Sequence, residues 1–460
     1  MHVDLDLIRK YNERLPRYTS YPTAPYFTEE MGASVFQEEV QRSNADANAG
    51  PLSLYLHLPF CRQLCYYCGC HMKVTHNPER IEKYLGYLYR EIDRTAQQID
   101  RSRPVVQIHW GGGTPTYLSP EHIEALGTRL EERFDITDDA EISIEADPRG
   151  LTEEHIDAAQ RVGFNRISIG VQDFDPEVQE TINRIQPEPV VRNAVRWARD
   201  YGFDSINLDL VYGLPHQTLP QFSETIDTVI NIEPDRIALF SYAHVPSIIQ
   251  HQQLIPEEAL PDPSEKLDIL KMSIETLTGK GGYRFIGMDH FARPDDPLSI
   301  AQDQGSLYRN FQGYSTHSEA DVYAFGPSGI HQLQSMYAQN VKSLRDYYDH
   351  IDDDEPLVYR GYRLSPEDHL RREVITELMC NLTLDKRAIE ARYGISFDRT
   401  FAPALDRLRL LEADGLVTLG ADHITVRPPG RLLIRNIASA FDAYLHEQTE
   451  DDQPVYSQSV

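Results

Sequence analysis

Short apolar runs alternate with longer amphipathic segments over the first half of the chain. The apolar runs lie at residues 53–60, 105–110, 141–145, 166–171, 205–211 and 236–242, and the amphipathic segments between them lie at 78–95, 120–134, 152–162, 187–201 and 219–232. Six β–α units at this spacing predict a parallel sheet with helical crossovers. The runs are nearly continuous in apolar residues, which is typical of strands buried on both faces.

Six units are fewer than the eight of a complete TIM barrel, so an open partial barrel and a doubly wound sheet both fit the count. A further apolar run at 283–287 is a candidate extra strand. We therefore expect an α/β domain over residues 51–350. Residues 1–50 precede the first predicted strand and include the proline-rich stretch 16–23, so we expect an irregular segment there.

The pattern changes after an acidic stretch at 352–356, which is typical of a linker. Beyond it, residues 366–382, 401–414 and 430–445 are helix-like, and residues 416–426 resemble a β-hairpin. These elements predict a mostly helical, winged-helix-like domain over residues 357–447. Residues 448–460 are polar and acidic, and we expect a disordered tail.

Composition limits the partners. The 460 residues contain 44 Lys and Arg against 72 Asp and Glu, a formal net charge of −28. That charge repels nucleic acid and anionic membranes, although a small anionic ligand needs only a local basic pocket. No apolar run approaches the length of a membrane span, and the N-terminus lacks the pattern of a signal peptide. We expect a cytoplasmic protein, whose thiols stay reduced.

The most informative motif follows the first apolar run. Cys61, Cys65 and Cys68 have the spacing C-x3-C-x2-C, and Cys70 comes two residues later. A cubane iron–sulfur cluster usually takes four thiolates, so three would leave one iron open to a ligand. The alternatives are a buried helical stripe, a Cys65–Cys68 redox pair and a zinc site. We favour the iron–sulfur cluster, held by a loop.

Polar residues recur where the predicted strands end, and these ends meet at one edge of a parallel sheet. They lie at 111–115, 145–147, 172–173, near 209, and at 242–244. The glycines at 111–113 can let the backbone approach a ligand. Glu145 could accept a hydrogen bond from an amine and Asp209 from a ribose hydroxyl. Arg184 could pair with a carboxylate or be a surface charge.

Together these residues resemble the radical S-adenosylmethionine superfamily, which is marked by C-x3-C-x2-C with an aromatic residue, here Tyr67, before the last cysteine. More narrowly, the chain resembles the oxygen-independent coproporphyrinogen III oxidase (dehydrogenase) family. That resemblance rests on residues 16–23, 55–61, 109–116, 170–174, 209–215, 285–294 and 430–436, together with Cys70. It covers nearly the whole chain. The sequence departs from the family pattern at 324–331, where Pro327 removes a backbone donor.

The resemblance implies a partial (β/α)6 TIM-like barrel with a C-terminal helical domain. It also implies a [4Fe–4S] cluster on Cys61, Cys65 and Cys68, whose open iron binds S-adenosylmethionine. Reductive cleavage of that molecule would give a 5′-deoxyadenosyl radical, which removes a hydrogen from a propionate side chain. Loss of carbon dioxide and one electron then leaves a vinyl group. Two such steps would convert coproporphyrinogen III into protoporphyrinogen IX in haem biosynthesis, with an unidentified electron donor.

The family binds two molecules of S-adenosylmethionine per monomer. By position, the first would contact Tyr55, Gly112, Glu145, Ala243 and Ile330. The second would contact Tyr67, Gly113, Thr114, Gln172, Arg184 and Asp209. We predict that the substrate propionates bind Arg17, Arg431 and Arg435. The alternative interpretation is that these three arginines are ordinary surface charges. Cys70 is predicted to tune the cluster without binding iron.

Residues 16–23 combine Arg17 with Tyr18 and Tyr21, and this mixture is suited to covering a flat anionic tetrapyrrole over the site. The alternative is that the segment is a strap that only stabilises the fold.

Two rival functions remain. A haem-binding chaperone of the same superfamily lacks decarboxylase activity, and its relatives typically lack Cys70 and the segment 16–23. A zinc-based structural protein is the second rival. We expect a monomer.

Overall fold

The computed structural model describes residues 1–447 and 456–459 of the protein. Its strands are β1 (Leu52–Leu58), β2 (Phe60–Cys61), β3 (Lys73–Val74), β4 (Val105–Gly112), β5 (Ile136–Ala146), β6 (Arg166–Gln172), β7 (Ser205–Tyr212), β8 (Arg236–Ser241), β9 (Arg284–Gly287), β10 (His290–Ala292), β11 (Tyr308–Asn310), β12 (Gly313–Ser315), β13 (Asp321–Phe325), β14 (Ile330–Leu333), β15 (Met336–Asn340), β16 (Val358–Arg363), β17 (Thr383–Asp385), β18 (Val417–Leu419) and β19 (His423–Val426).

The α-helices are α1 (Leu5–Tyr11), α2 (Ala33–Ala45), α3 (Pro78–Gln98), α4 (Pro120–Arg133), α5 (Glu153–Arg161), α6 (Pro176–Thr181), α7 (Glu188–Asp200), α8 (Leu219–Ile232), α9 (Pro263–Thr278), α10 (Pro297–Gln304), α11 (Leu344–Asp352), α12 (Pro366–Asn381), α13 (Lys386–Tyr393), α14 (Phe397–Thr400), α15 (Ala402–Ala413), α16 (Ile434–Ser439) and α17 (Ala443–Glu447). No helix within the described residues is both long and apolar enough to span a membrane.

Local sequence signals set where the crossover helices begin. The side chains of Asn77, Ser119 and Asp175 each cap a helix by accepting a hydrogen bond from a backbone N–H of its first turn. A proline follows each of them at the first helical position, where its missing N–H costs nothing and its φ already suits the helix. The helices that begin at Pro78 and Pro120 therefore start where the sequence predicted, whereas α6 was not predicted.

The chain divides into two compact units. We call Phe27–Lys266 with Glu319–Arg363 the sheet unit, and Met1–Tyr26, Leu267–Ser318 and the described part of Leu364–Val460 the helical unit. Within the sheet unit, β1, β4, β5, β6, β7 and β8 lie side by side in chain order, and every neighbouring pair is parallel. The predicted α/β fold class is confirmed.

The other edge of this sheet was not predicted. Strand β13 pairs in parallel with β1, and β14, β15 and β16 extend the sheet in antiparallel order. A buried ion pair holds β13 in place, because Arg103 donates to Asp321 across 2.7 Å and also to the carbonyl oxygen of Gly50. The ion pair and the strand pair both join residues more than 200 positions apart, so no local sequence pattern predicts them.

The helical unit differs from the predicted C-terminal domain in its extent. It contains residues 267–318 and 1–26 as well as the chain from Leu364 onwards, whereas residues 27–50 belong to the sheet unit. Its core includes the rings of Phe397, Phe401 and Phe441, with Phe401 5.3 Å from Phe441 between ring centroids. The predicted hairpin is present as β18 and β19, and β17 adds a third strand beside β19.

One predicted helix is interrupted. Residues 430–445 form two short helices, α16 and α17, instead of one. Asp442 lies between them and accepts a hydrogen bond from the backbone N–H of Leu445 across 3.2 Å. An aspartate that bonds the backbone in this way competes with helix continuation and starts a new helix instead.

The prediction of an irregular segment over residues 1–50 is wrong for α1 and α2, and Asp4 caps α1 by accepting from two backbone N–H groups. Residues 16–23 are indeed irregular, but Tyr18 and Tyr21 are buried in the core of the helical unit. The Tyr18 hydroxyl donates to Asp442 across 3.0 Å. This burial favours the alternative in which the segment stabilises its own unit.

The predicted disordered tail, residues 448–460, lies mostly outside the described residues. Residues 456–459 differ from the prediction, because they run beside the N-terminal segment. The backbone N–H of Leu15 donates to the carbonyl oxygen of Ser457 across 3.1 Å, and that of Ser459 donates to Glu13 across 2.6 Å. Backbone pairing of this kind needs no apolar side chains, so a polar composition does not prevent it.

Candidate active site

The cysteine loop follows β1 and is closed by backbone hydrogen bonds. The N–H of Lys73 donates to the carbonyl oxygen of Pro59 across 2.6 Å, and that of Thr75 to Cys61 across 3.2 Å, so β2 and β3 pair in parallel. No helix lies between them. The loop prediction is confirmed, and the alternative of a helical cysteine stripe is wrong.

The glycine-rich turn after β4 packs directly on this loop. The N–H of Gly113 donates to the carbonyl oxygen of Leu58 across 2.8 Å, and that of Thr114 to Phe60 across 2.9 Å. A Cβ on Gly113 would lie 2.8 Å from the backbone of Phe60, and one on Gly112, whose φ is +112°, would lie 2.7 Å from the His57 ring. The close approach of this turn to β1 at Gly112 and to the start of the cysteine loop at Gly113 therefore requires both glycines.

Each sulfur of the three predicted ligands faces at least one hydrogen-bond donor. Thr114 Oγ1 lies 3.3 Å from Cys61 Sγ, and the N–H of Cys70 lies 3.4 Å from Cys68 Sγ. Cys65 Sγ accepts hydrogen bonds from two guanidinium groups, from Nη2 of Arg149 at 3.4 Å and from Nη1 of Arg184 at 3.5 Å. Hydrogen bonds to the sulfurs are a main means by which proteins tune iron–sulfur clusters, so this donor set fits three cluster thiolates.

The thiols differ in acidity. Burial raises the pKa of Cys61 to about 11. The Cys70 thiol beside Cys68 lowers the pKa of Cys68, and Cys68 in turn raises the pKa of Cys70. Cys70 thus stabilises the thiolate of Cys68. Among residues 1–447 and 456–459, no three His, Cys, Asp or Glu side chains converge as ligands of a single metal ion.

Asp147, just beyond β5, organises both guanidiniums. It accepts from Arg149 across 2.5 Å and from Arg184 across 3.1 Å. Burial raises the pKa of Asp147, but Arg184 and Arg149 outweigh it and lower the pKa to about 2. Arg184 is buried and also donates to the carbonyl oxygen of Gly170 across 2.7 Å, so the surface-charge alternative for Arg184 is wrong.

The role of Arg149 was missed from the sequence. Its only local signal is its position two residues after Asp147, at the end of a predicted strand.

Glu145, near the end of β5, has a carboxylate that is positioned by protein donors and can accept a further hydrogen bond from a ligand. Its Oε2 accepts from the N–H of Gly112 across 3.1 Å, and its Oε1 lies 3.5 Å from Nε2 of His109. Burial raises the pKa of Glu145, but His109 and the Gly112 N–H outweigh it and lower the pKa, so the carboxylate is charged. Because 43% of the side chain is exposed, a ligand can still reach it.

Tyr55 lies beside this carboxylate. Its ring stacks on that of His109, with 5.9 Å between ring centroids, and its hydroxyl lies 3.1 Å from Nδ1 of His57. The structure thus brings together Tyr55, Gly112 and Glu145, three of the five residues predicted to contact the first S-adenosylmethionine. His109 was missed as the side chain that links them.

Strand β6 ends at Gln172, and Asp209 lies within the neighbouring strand β7. Burial, with a contribution from Glu145, raises the pKa of Asp209 to about 6. Its two carboxylate oxygens accept from Ser168 Oγ across 2.9 Å and from Asn207 Nδ2 across 2.7 Å. These two partners also escaped the sequence analysis, because nothing distinguishes them from ordinary polar residues of a strand.

Tyr67 and Ala243 are joined by a residue that the sequence did not single out. Gln252 Nε2 lies 3.1 Å from the carbonyl oxygen of Tyr67 and 3.2 Å from that of Ala243. His251 Nε2 lies 2.7 Å from the carbonyl oxygen of Cys68. Residues 251 and 252 therefore bind the cysteine loop to the end of β8.

Ile330 begins β14, after the segment that departs from the family pattern. Gly326 has φ +92°, and its N–H donates to the buried carboxylate of Glu91 across 2.8 Å. Asn340 Nδ2 donates to the carbonyl oxygen of Gly326 across 3.1 Å. These bonds shape the turn that contains Pro327, but no described hydrogen bond connects Ile330 to the other predicted contacts.

The three arginines predicted to bind propionates all lie in the helical unit. Arg17 pairs with Asp289, Arg431 donates to the carbonyl oxygen of Phe285, and Arg435 donates to the carbonyl oxygen of Pro16 across 2.9 Å. Arg435 is only 2% exposed, so its surface-charge alternative is wrong. All three have partners inside the protein.

Comparisons with known proteins agree with this picture. Residues 55–229 match the radical SAM superfamily and residues 364–433 match the HemN C-terminal domain. A curated oxygen-independent coproporphyrinogen III oxidase of Synechocystis is 45% identical over 99% of this chain and 97% of its own, and that of Escherichia coli is 46% identical over 98% and 97%.

A solved structure described as the coproporphyrinogen III oxidase HemN of Escherichia coli, a radical SAM enzyme, superposes with a TM-score of 0.91 at 45% identity. The match covers 96% of this chain and 99% of that one. The chain therefore belongs to the oxygen-independent coproporphyrinogen III oxidase family of the radical SAM superfamily.

Proposed function

We infer that this protein catalyses the oxygen-independent oxidative decarboxylation of two propionate side chains of coproporphyrinogen III, giving the two vinyl groups of protoporphyrinogen IX. The observation that carries this conclusion is identity of 45% with a curated enzyme of that name over 99% of the chain. Each step removes one hydrogen atom, carbon dioxide and one further electron from the substrate. An electron donor and an acceptor, both unidentified, complete the cycle.

We propose Cys61, Cys65 and Cys68 as the cluster ligands, because a donor faces each sulfur. When bound, the cluster and S-adenosylmethionine supply the 5′-deoxyadenosyl radical that abstracts the hydrogen. Arg149 and Arg184 would offset the negative charge of the thiolate at position 65. Cys70 would act as a hydrogen-bond donor to Cys68 and bind no iron.

For S-adenosylmethionine itself we propose two molecules per monomer. Glu145 would accept from the amino group of the first, beside Tyr55 and Gly112, with Ala243 and Ile330 completing its site. Tyr67, Gly113, Thr114, Gln172, Arg184 and Asp209 would contact the second. The raised pKa of Asp209 is consistent with a hydrogen-bond partner for a neutral hydroxyl.

We propose that the six parallel strands of the sheet unit form a partial (β/α)6 barrel. We propose that the three-stranded sheet β17–β19–β18 and its neighbouring helices form a winged-helix-like domain. We also propose that the enzyme is monomeric and that it works in the cytoplasm, where thiols stay reduced.

Anaerobic turnover tests the proposed function. The reconstituted protein is incubated with S-adenosylmethionine, a reductant and coproporphyrinogen III, and products are measured by liquid chromatography and mass spectrometry. We expect protoporphyrinogen IX with two 5′-deoxyadenosine molecules per product, and neither from Cys65→Ser. Haem binding without any decarboxylation would point to the chaperone function instead.

A further inference from the structure

Arg309 is a buried cation of the helical unit that the sequence analysis did not single out. It lies on β11, directly opposite Tyr314 on β12, and its guanidinium lies 4.9 Å from the centroid of the Tyr314 ring. The residue is only 6% exposed. Cross-strand pairing thus places Arg309 beside Tyr314 on a short hairpin.

The hydrogen bonds of Arg309 are incomplete. Both Nε and Nη1 are buried and have no hydrogen-bond partner among the described residues. A guanidinium is always charged and carries five N–H donors. Burying it without an anion is costly, and the face of one tyrosine ring compensates only part of that cost. This cation is therefore suited to an anionic ligand.

The neighbouring charges support an anion at this place. Burial lowers the pKa of Arg435 to about 10, and both Arg17 and Arg309 add to that effect through their positive charge. Asp289 is a carboxylate whose charge acts on Arg435, and it is already paired with Arg17. Three guanidiniums thus lie within electrostatic reach in this part of a protein whose formal net charge is −28, because Arg17 and Arg309 both act on Arg435.

The other two cations are engaged. Arg435 donates to the carbonyl oxygens of Pro16 and Ser457, and Arg17 donates to Asp289. Arg309 is different, because its buried Nε and Nη1 have no hydrogen-bond partner among the described residues. The side-chain Nε2 of Gln312, on the same hairpin, is also buried without a partner and is a second candidate donor.

We propose that Arg309 binds a carboxylate of the substrate, namely a propionate of the tetrapyrrole, and so determines substrate specificity. This rests on the proposed function. A charged hydrogen bond from a guanidinium to a carboxylate is among the strongest that proteins form, and it recognises the carboxylate itself instead of the apolar ring. The carboxylate of S-adenosylmethionine has the same chemistry, so the experiment distinguishes the two sources.

Binding is measured anaerobically on the cluster-containing full chain. The probes are coproporphyrin III, which keeps all four propionates, and its tetramethyl ester, which has no carboxylate. The variants are Arg309→Met and Arg309→Lys, with Arg409→Met as the control, since Arg409 is an exposed arginine of the same unit. Thermal unfolding without porphyrin and calorimetric binding of S-adenosylmethionine are recorded for each protein.

We expect Arg309→Met to weaken binding of coproporphyrin III by roughly 10- to 100-fold and to leave binding of the ester and of S-adenosylmethionine unchanged. Arg309→Lys should be intermediate, and Arg409→Met should match the wild type. The ligand-free Arg309→Met protein should be at least as stable as the wild type, because it no longer buries an unpaired charge.

Three results would overturn the assignment. The first is equal affinity of wild type and Arg309→Met for coproporphyrin III. The second is weaker binding of S-adenosylmethionine with unchanged porphyrin binding, which would show that Arg309 binds the carboxylate of S-adenosylmethionine. The third is a marked loss of stability in ligand-free Arg309→Met, which would make the role structural. A wild type with no affinity for coproporphyrin III would instead overturn the proposed function itself.

Discussion

The guanidinium of Arg149 donates to the sulfur of Cys65 across 3.4 Å. Asp147 holds that guanidinium in place and, through Arg184, a second one beside it. Two positive charges thus lie against one sulfur of the cysteine loop. A cation at this distance favours a more negative state of whatever the sulfur binds.

Arg149→Met should therefore lower the reduction potential of the bound cluster, because the reduced form gains negative charge that Arg149 no longer offsets. Redox titration followed by electron paramagnetic resonance measures the potential, and iron and sulfide analysis checks that the cluster is complete. Arg149→Lys should restore part of the shift. Arg161→Met, which removes an exposed arginine of the same unit, is the control. An unchanged potential in Arg149→Met would contradict this role.

Cys70→Ser should retain a full complement of iron and sulfide, whereas Cys68→Ser should lose it. The backbone N–H of Cys70 donates to Cys68 Sγ across 3.4 Å, so Cys70 acts as a donor to a ligand. Iron analysis and the visible absorbance of anaerobically reconstituted protein separate the two cases. Iron loss in Cys70→Ser as complete as in Cys68→Ser would identify Cys70 as a ligand.

Glu145→Ala should weaken binding of S-adenosylmethionine while the cluster remains intact. One lost hydrogen bond to a charged group costs roughly 1.5–3 kcal/mol, which is about 10- to 150-fold in the dissociation constant. Isothermal titration calorimetry under anaerobic conditions gives this constant. Glu131→Ala is a suitable control, since Glu131 is an exposed glutamate on α4. Affinity equal to that of the wild type would remove Glu145 from the binding site.

Glu91 should make stability depend on pH. Burial raises the pKa of Glu91 from 4.5 to about 7 in the folded protein, where its carboxyl accepts from Gly326 and Tyr347. An acid whose pKa is raised by folding contributes stability below its unfolded pKa and loses it as the pH rises through the folded pKa. The wild type should therefore lose ~3 kcal/mol relative to Glu91→Gln between about pH 4.5 and pH 7.5.

Denaturant unfolding of both proteins at several pH values measures this difference. Glutamine keeps the acceptor oxygen for Gly326 and carries no charge, so it serves as the neutral reference at every pH. A difference between the two proteins that stays constant from pH 4.5 to pH 7.5 would show that Glu91 does not titrate in this window.

Local features of this protein could be predicted from the sequence because their causes are local. Strand and helix periodicity, the caps at Asn77 and Ser119, and the cysteine spacing each depend on residues close together in the chain. The carboxyl ends of parallel strands meet by necessity, so Gly112 and Glu145 could be expected at one edge before their 3.1 Å contact was known.

What only the tertiary structure decided involves residues far apart in the chain. The pairing of β13 with β1 and the inclusion of residues 267–318 in the helical unit are long-range outcomes of packing. The same holds for the roles of the arginines, because all of them look alike in the sequence. Arg184 reaches Cys65, Arg435 is engaged by backbone carbonyls, and Arg309 is buried with unpaired donors. Burial and partners, which distinguish these charges, exist only once the chain has folded.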